Sequence, residues 1–136
     1  IPKFITALLK NEAPIVHGDG EQSRDFTYID NVIEANLCAC HSDAKGEYMN
    51  AACGNRFTLN QLVGKLQELI ASTAQPIHEA NRQGDVKHSH ASIEKAKTLI
   101  NYQPVATFDE GLAKTVEWYR EKEEQSAFGP ALVNQS

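Results

Sequence analysis

Two arginines and one aspartate are the residues here whose types and setting could do chemistry. Arg24 lies in Gln22-Ser23-Arg24-Asp25-Phe26, just after a turn with two glycines. Arg82 lies in Asn81-Arg82-Gln83-Gly84-Asp85-Val86, in a polar stretch without apolar periodicity. A guanidinium fork matches two phosphate oxygens at once, so two convergent arginines would neutralise a diphosphate in a partly closed cleft. Asp85 is an acceptor suited to a ribose hydroxyl, and Gly84 lets the loop turn tightly beside a ligand. An extended backbone at Ile15-Val16 could hydrogen-bond the edge of a flat base. A plainer arrangement is equally open to these residues. Arg24 could pair with Asp25 or Asp30 and Arg82 with Asp85 or Glu79, as surface ion pairs of small consequence, and Ile15-Val16 could be an ordinary strand end.

Other chemistries find no support. The chain contains no G-x-S-x-G elbow, P-loop, H-E-x-x-H or C-x-x-C pair. Cys38, Cys40 and His41, with Cys53 further on, invite a metal reading. Cys38 and Cys40 stand two apart in an expected helix, however, about 200° apart around its axis. Small buried thiols describe them better. His88 and His90 read as a solvated loop pair with no carboxylate–histidine scaffold behind them. No catalytic residue and no metal ligand is assigned.

The composition bounds these readings. At 136 residues, 41% hydrophobic and 23% charged, the chain fits one domain with a core and is not disordered throughout. No apolar run reaches the roughly 18–20 residues that span a bilayer, and the opening Ile1–Glu12 does not read as a signal peptide. A net charge of −5 argues against bulk binding of nucleic acid or an anionic membrane, but not against one small anion held by placed arginines. Three cysteines, an odd number, read as reduced thiols of a cytoplasmic protein. There is no repeat or low-complexity stretch.

The elements that must position the arginines are short strands set between helices, an α/β pattern. Residues 2–11 predict a helix with Phe4, Ile5, Leu8 and Leu9 on one side, broken by Pro14. Strands are expected at 15–16 and 26–29, around the turn His17-Gly18-Asp19-Gly20. Asp30 is the expected N-cap of a helix to about Cys40, and residues 48–52 the expected buried strand, closed by Gly54. Thr58, or Asn60 as second choice, caps a helix over 59–73 with Leu59, Leu62, Val63, Leu66, Leu69 and Ile70 on one stripe. Residues 76–78 form an edge strand and 79–90 a loop, Ser92 caps a helix to Ile100, and residues 101–104 turn. Thr107 opens the last helix, with Glu110 placed for a capping box and Phe108, Leu112, Val116 and Tyr119 inward. Residues 126–136 read as a flexible tail.

Taken together, the residues resemble a known family. Ile1-Pro2-Lys3-Phe4, the run Gly18-Asp19-Gly20-Glu21-Gln22-Ser23-Arg24-Asp25-Phe26-Thr27-Tyr28-Ile29-Asp30-Asn31-Val32, Asn60 after Thr58-Leu59, Arg82-x-Gly84-Asp85-Val86-x-His88-Ser89 and Trp118-Tyr119 fall in order. The series is similar to the carboxy-terminal, substrate-binding part of an extended short-chain dehydrogenase/reductase acting on nucleotide sugars. Within that family it is most similar to the UDP-N-acetylglucosamine 4-epimerases of bacterial surface-polysaccharide synthesis. The likeness runs from Ile1 to about Lys122, with Ser92 where an aspartate is usual; both cap helices.

The resemblance implies that Arg24 and Arg82 contact the nucleotide diphosphate, that Asp85 contacts the ribose and that Ile15-Val16 lie along the uracil. It implies residues 1–125 as a nucleotide-sugar substrate-binding domain, and a homodimer for the full-length enzyme. It implies NAD as cofactor, oxidising the sugar at carbon 4 and returning hydride to the other face of the ketone. The family's Gly-rich Rossmann motif and Tyr-x-x-x-Lys pair have no match in these residues, so NAD is expected on a part ahead of Ile1 and the fragment alone is expected to be inactive. Apolar surface at helix 31–40 and strand 48–52 is expected to lie exposed. A dehydratase, decarboxylase or reductase on the same scaffold, or a non-catalytic binding module, are the alternative readings.

Overall fold

The computed structural model describes residues 1–127. Pro2 starts helix α1 (Pro2–Leu9), where its missing N–H costs nothing. Asn11 closes it at a positive φ of 54° and Pro14 follows. Thr58 caps α3 (Leu59–Ile70) with a full capping box: its hydroxyl accepts from the Gln61 N–H at 3.1 Å, and the Gln61 amide accepts from the Thr58 N–H at 2.8 Å. The expected helix to Thr73 stops earlier, at a left-handed Ala71. Helix α5 (Phe108–Ala127) opens at Thr107, whose hydroxyl and N–H both meet the Glu110 carboxylate at 2.8 Å.

These three helices pack on one another around Ile5, Leu8, Leu62, Leu66, Phe108, Leu112 and Val116, with Phe4, Leu9, Leu59, Ile70 and Tyr119 partly buried against them. Every apolar position expected on α1 and α5 faces this core; on α3 only Leu69 is left 38% exposed. Deep burial of such side chains contributes roughly 1.5–3 kcal/mol each. A second cluster joins α2 (Ile29–His41) to α4 (Glu94–Ile100) through Ala35, Ala96, Ile100 and Tyr102. One face of α2 stays uncovered, as expected: Ile29, Ile33 and Leu37, spaced by four, are each at least half exposed.

The sheets are small. Strand β1 (Ile15–His17) runs parallel to β4 (Ile77–Glu79), with Ile15 opposite Ile77 and His17 opposite Glu79. Strand β2 (Ser23–Arg24) runs antiparallel to β3 (Phe57–Thr58).

Several expectations are corrected. The strand expected at 26–29 is displaced to 23–24, because Phe26 is drawn onto the α5 ring of Phe108 (centroids 5.6 Å apart) and Ile29 already begins α2. Tyr28, not Asp30, holds the N-cap position of α2; Asp30 sits in the first turn and pairs with Lys114 at 3.1 Å. Residues 48–52 form no strand among the described residues. Side chains meet the backbone at the end of this stretch instead: the Tyr102 hydroxyl donates to the Ala52 carbonyl at 2.9 Å, and the Cys53 and Gly54 N–H groups donate to the Asp25 carboxylate at 3.0 and 2.9 Å. Ser92 does not cap α4, whose N-cap position is Ile93. Of the tail expected over 126–136, residues 126–127 continue α5 and residues 128–136 lie outside the described residues.

Candidate functional site

The parallel pairing of β1 with β4 builds the site. Both strands end on the same side, so the turn after β1 and the loop after β4 leave the sheet together. The Gly18 N–H donates to the Glu79 carbonyl at 2.8 Å, and the His78 ring meets the Gly18 carbonyl at 2.8 Å. Ligands of parallel α/β sheets gather at these carboxyl ends. Here the two segments enclose a cleft of about 260 Å³ lined by Asp19, Gln22, Asn81, Arg82, Asp85 and Lys87.

The turn is braced from α3. Asn60 donates its amide to the Asp19 carbonyl at 2.9 Å and to Glu21 at 2.6 Å. Gly20 must be glycine: its φ is +76°, and a Cβ there would come within 1.9 Å of the Asn60 amide oxygen. In the second loop the Asp85 N–H donates to the Arg82 carbonyl at 3.2 Å, closing a turn that needs the φ of +80° at Gly84.

Arg24 reaches this loop from β2. Its guanidinium donates to the Ser23 carbonyl at 2.8 Å and to the Asp85 carboxylate. The partner is therefore Asp85, not the Asp25 or Asp30 weighed for a plain surface pair. Asp25 accepts backbone N–H groups, and Asp30 binds Lys114. Asp85 is bonded to Arg24 and lines the cleft with Arg82. Arg24 itself is not part of the cleft lining. Among the described residues, neither Arg82 nor Lys87 has an ion-pair partner. Ile15 is 48% exposed and Val16 buried. The edge of β1 away from β4 carries no strand among the described residues; the His17 carbonyl accepts from the Gln22 amide at 2.5 Å.

Gln22, Asn81 and Lys87 escaped the sequence reading. Lys87 was legible as a cation three residues from Gly84. Gln22, 8% exposed, looked like one more polar turn residue. The cleft offers two cations, two amides and two carboxylates, groups that can meet an anion through the cations and hydroxyls through the carboxylates and amides.

The metal ideas disperse. His88 meets Ser23 and His90 meets the Gly54 carbonyl at 3.2 Å, two different partners. Cys38 donates to Glu34 at 3.3 Å, and burial, chiefly, pushes its thiol up. Cys40 is exposed, contrary to the buried thiol expected there, because it lies on the far side of α2 from Ala35. No helix among the described residues is long and apolar enough to cross a membrane.

None of the glycines with positive φ, at 18, 20, 46, 54 and 84, opens a helix directly after a strand, the arrangement that cradles a dinucleotide pyrophosphate.

Residues 1–115 match the family model described as GDP-mannose 4,6 dehydratase. A UDP-N-acetylglucosamine 4-epimerase from Methanobrevibacter ruminantium M1, solved in complex with UDP-N-acetylmuramic acid, is 38% identical with a TM-score of 0.83, over 89% of this chain and 39% of that one. The UDP-glucose 4-epimerase of Thermotoga maritima, solved with UDP-glucose, is 35% identical with a TM-score of 0.85, over 88% of this chain and 38% of that one. The dTDP-D-glucose 4,6-dehydratase of Homo sapiens is 33% identical over 129 residues, 89% of this chain and 36% of the human protein. The chain thus spans well under half the length of each.

Proposed function

The chain belongs to the GDP-mannose 4,6-dehydratase family, with the α/β fold of an extended short-chain dehydrogenase/reductase, and from that premise we propose that it anchors the UDP part of a nucleotide sugar for a 4-epimerase. Residues 1–125 act as the substrate-binding domain. Arg24 and Arg82 hold the diphosphate, Asp85 holds the ribose, and the backbone of Ile15 and Val16 lies along the uracil. One observation carries this reading: Asp85, bonded to Arg24, lines the same cleft as Arg82. Relatives solved with UDP-sugars support the ligand class.

The sugar is UDP-N-acetylglucosamine, a reading supported by the 38% identity to an epimerase of that name. The human relative favours a second reading, a nucleotide-sugar 4,6-dehydratase with the same anchor. In both, the residues seen here bind and orient: binding energy gathered at the nucleotide fixes the sugar for a reaction at other residues. NAD belongs to the complexes of related epimerases and supplies hydride transfer when bound. On this reading the groups that hold it, and the Tyr and Lys of the Tyr-x-x-x-Lys pair, are not among these residues, and the 136 residues alone are expected not to epimerise.

The test is a titration of the chain with UDP and, separately, uridine, followed by amide shifts so that millimolar binding is legible. The expected result is UDP binding that uridine does not match and that Arg82→Ala weakens by ~2–3 kcal/mol, the loss of charged hydrogen bonds. Equal responses to UDP and uridine, or an Arg82→Ala chain that binds UDP as well as the native one, would overturn the anchor.

A further inference from the structure

Ser23 and His88 are not accounted for by the ligand contacts proposed above. Ser23 is 5% exposed, and its hydroxyl lies 2.9 Å from His88 Nδ1 across 65 residues of sequence. The backbones join at the same place. The Ser23 N–H donates to the Lys87 carbonyl at 2.9 Å, and the Ser89 N–H donates to the Ser23 carbonyl at 3.0 Å. On its other side Ser23 pairs with Thr58 of β3. The same Ser23 carbonyl also accepts from the Arg24 guanidinium at 2.8 Å. One buried serine therefore fixes both the arginine that follows it and the loop that carries Asp85, three residues before His88.

We propose that Ser23 and His88 are a positioning pair, a side-chain staple that holds the 82–89 loop in register with β2 so that Arg24 and Asp85 meet at the nucleotide cleft. The inference rests on the anchor reading above and adds residues that touch no ligand. A hydroxyl both donates and accepts, so the staple survives either imidazole tautomer: Oγ–H donates to a bare Nδ1, or Oγ accepts from Nδ1–H. Without it, the two backbone bonds at Ser23 remain, but the loop that presents Asp85 loses, among the described residues, its one side-chain tie to β2 besides the Arg24–Asp85 pair itself.

The test uses the 136-residue chain, UDP as probe and amide shifts as readout, in Ser23→Ala, His88→Ala, the double variant and His88→Asn, with Arg82→Ala alongside. The expected result is a five- to tenfold loss of UDP affinity, about the effect of one net hydrogen bond, in each alanine variant. The double variant should lose no more than either single, which marks one shared contact. His88→Asn, whose amide replaces the Nδ1 partner, should return affinity to within twofold, and exchange of the Ser89 N–H should quicken only in the alanine variants. A general loosening of the fold would not be rescued by Asn. If Arg82→Ala weakens UDP while the alanine variants stay within twofold of the native chain, the positioning pair is overturned and the anchor stands. If Arg82→Ala has no effect, the anchor falls and the pair's role falls with it.

Discussion

The Arg24 guanidinium and the Asp85 carboxylate meet across 61 residues of sequence, and Asp85 lines the cleft that Arg82 also lines. Neither side chain is deeply buried, at 26% and 38% exposed. Partly exposed pairs contribute little to folding, about 0–1 kcal/mol. On the proposed reading a ligand diphosphate would engage the arginine more strongly, because its fork matches two oxygens.

Arg24→Lys separates these roles. The expected outcome is a change in unfolding free energy below about 1 kcal/mol, together with a loss of UDP affinity of tenfold or more, since an ammonium cannot repeat the fork. Urea unfolding and a UDP titration of the same sample check both. A variant that binds UDP normally but unfolds early would make Arg24 a structural residue.

Asn31 calls for a different experiment. It is fully buried in α2, yet every amide atom is used: Oδ1 accepts from the Val105 and Ala106 N–H groups at 2.8 and 2.9 Å, and Nδ2 donates to the Ala106 carbonyl at 2.8 Å. Asn31→Ala strands two N–H donors and a carbonyl. The expected cost is about 3 kcal/mol of stability, the desolvation penalty of buried groups left unpaired, read as an earlier urea midpoint with unchanged slope. A cost below about 1 kcal/mol would mean that water replaces the amide.

Asn31 also marks where sequence reading ends. Helices α1, α3 and α5 were legible because apolar residues recur at spacings of three and four and because Thr58 and Thr107 announce their caps. Asn31 was not, since a polar residue on a helix looks the same whether it faces water or ties down a distant turn. The strand expected at 48–52 failed similarly: its residues suit a sheet, but Asp25 and Tyr102 meet the backbone where it ends. The arginines were legible as chemistry, because guanidinium beside glycine and aspartate is an anion site in miniature. The meeting of Arg24 with Asp85 was not, because it depends on strands of two and three residues, too short to show a period, one of them pairing 62 positions away (Ile15 with Ile77). Ser23 and His88 were quoted within motifs without any hint that they touch.

The cap of α5 predicts an acid response. Hydrogen bonds from the Thr107 backbone and hydroxyl hold the Glu110 carboxyl below its ordinary value. A carboxylate favoured by the folded state contributes stability that is present above its unfolded pKa and lost as pH falls through the folded one. Thr107→Ala should cost about 1 kcal/mol near neutrality, a typical N-cap loss. In Glu110→Gln the acid limb of stability against pH should flatten, as measured by urea midpoints from neutrality down into the acid range. An unchanged acid limb would show that other carboxylates control it.

Tyr102 governs the alkaline side. It is fully buried, its hydroxyl donates to the Ala52 carbonyl at 2.9 Å, and burial, chiefly, pushes its pKa up to about 12. The folded state therefore keeps a proton that the unfolded chain releases near the ordinary tyrosine value of 10. A phenol raised in this way leaves stability whole below the unfolded value and drains it as pH climbs toward the folded one. Two outcomes follow. Ultraviolet titration of the native chain should ionise one of its four tyrosines only near or beyond pH 12, or together with unfolding. Tyr102→Phe should lose the bond to Ala52, at about 1 kcal/mol near neutrality, and should decline less steeply than the native chain between pH 10 and 12. All four tyrosines ionising together near pH 10 would mean that the phenol reaches water and that the Tyr102 bond to Ala52 does not hold the two segments together.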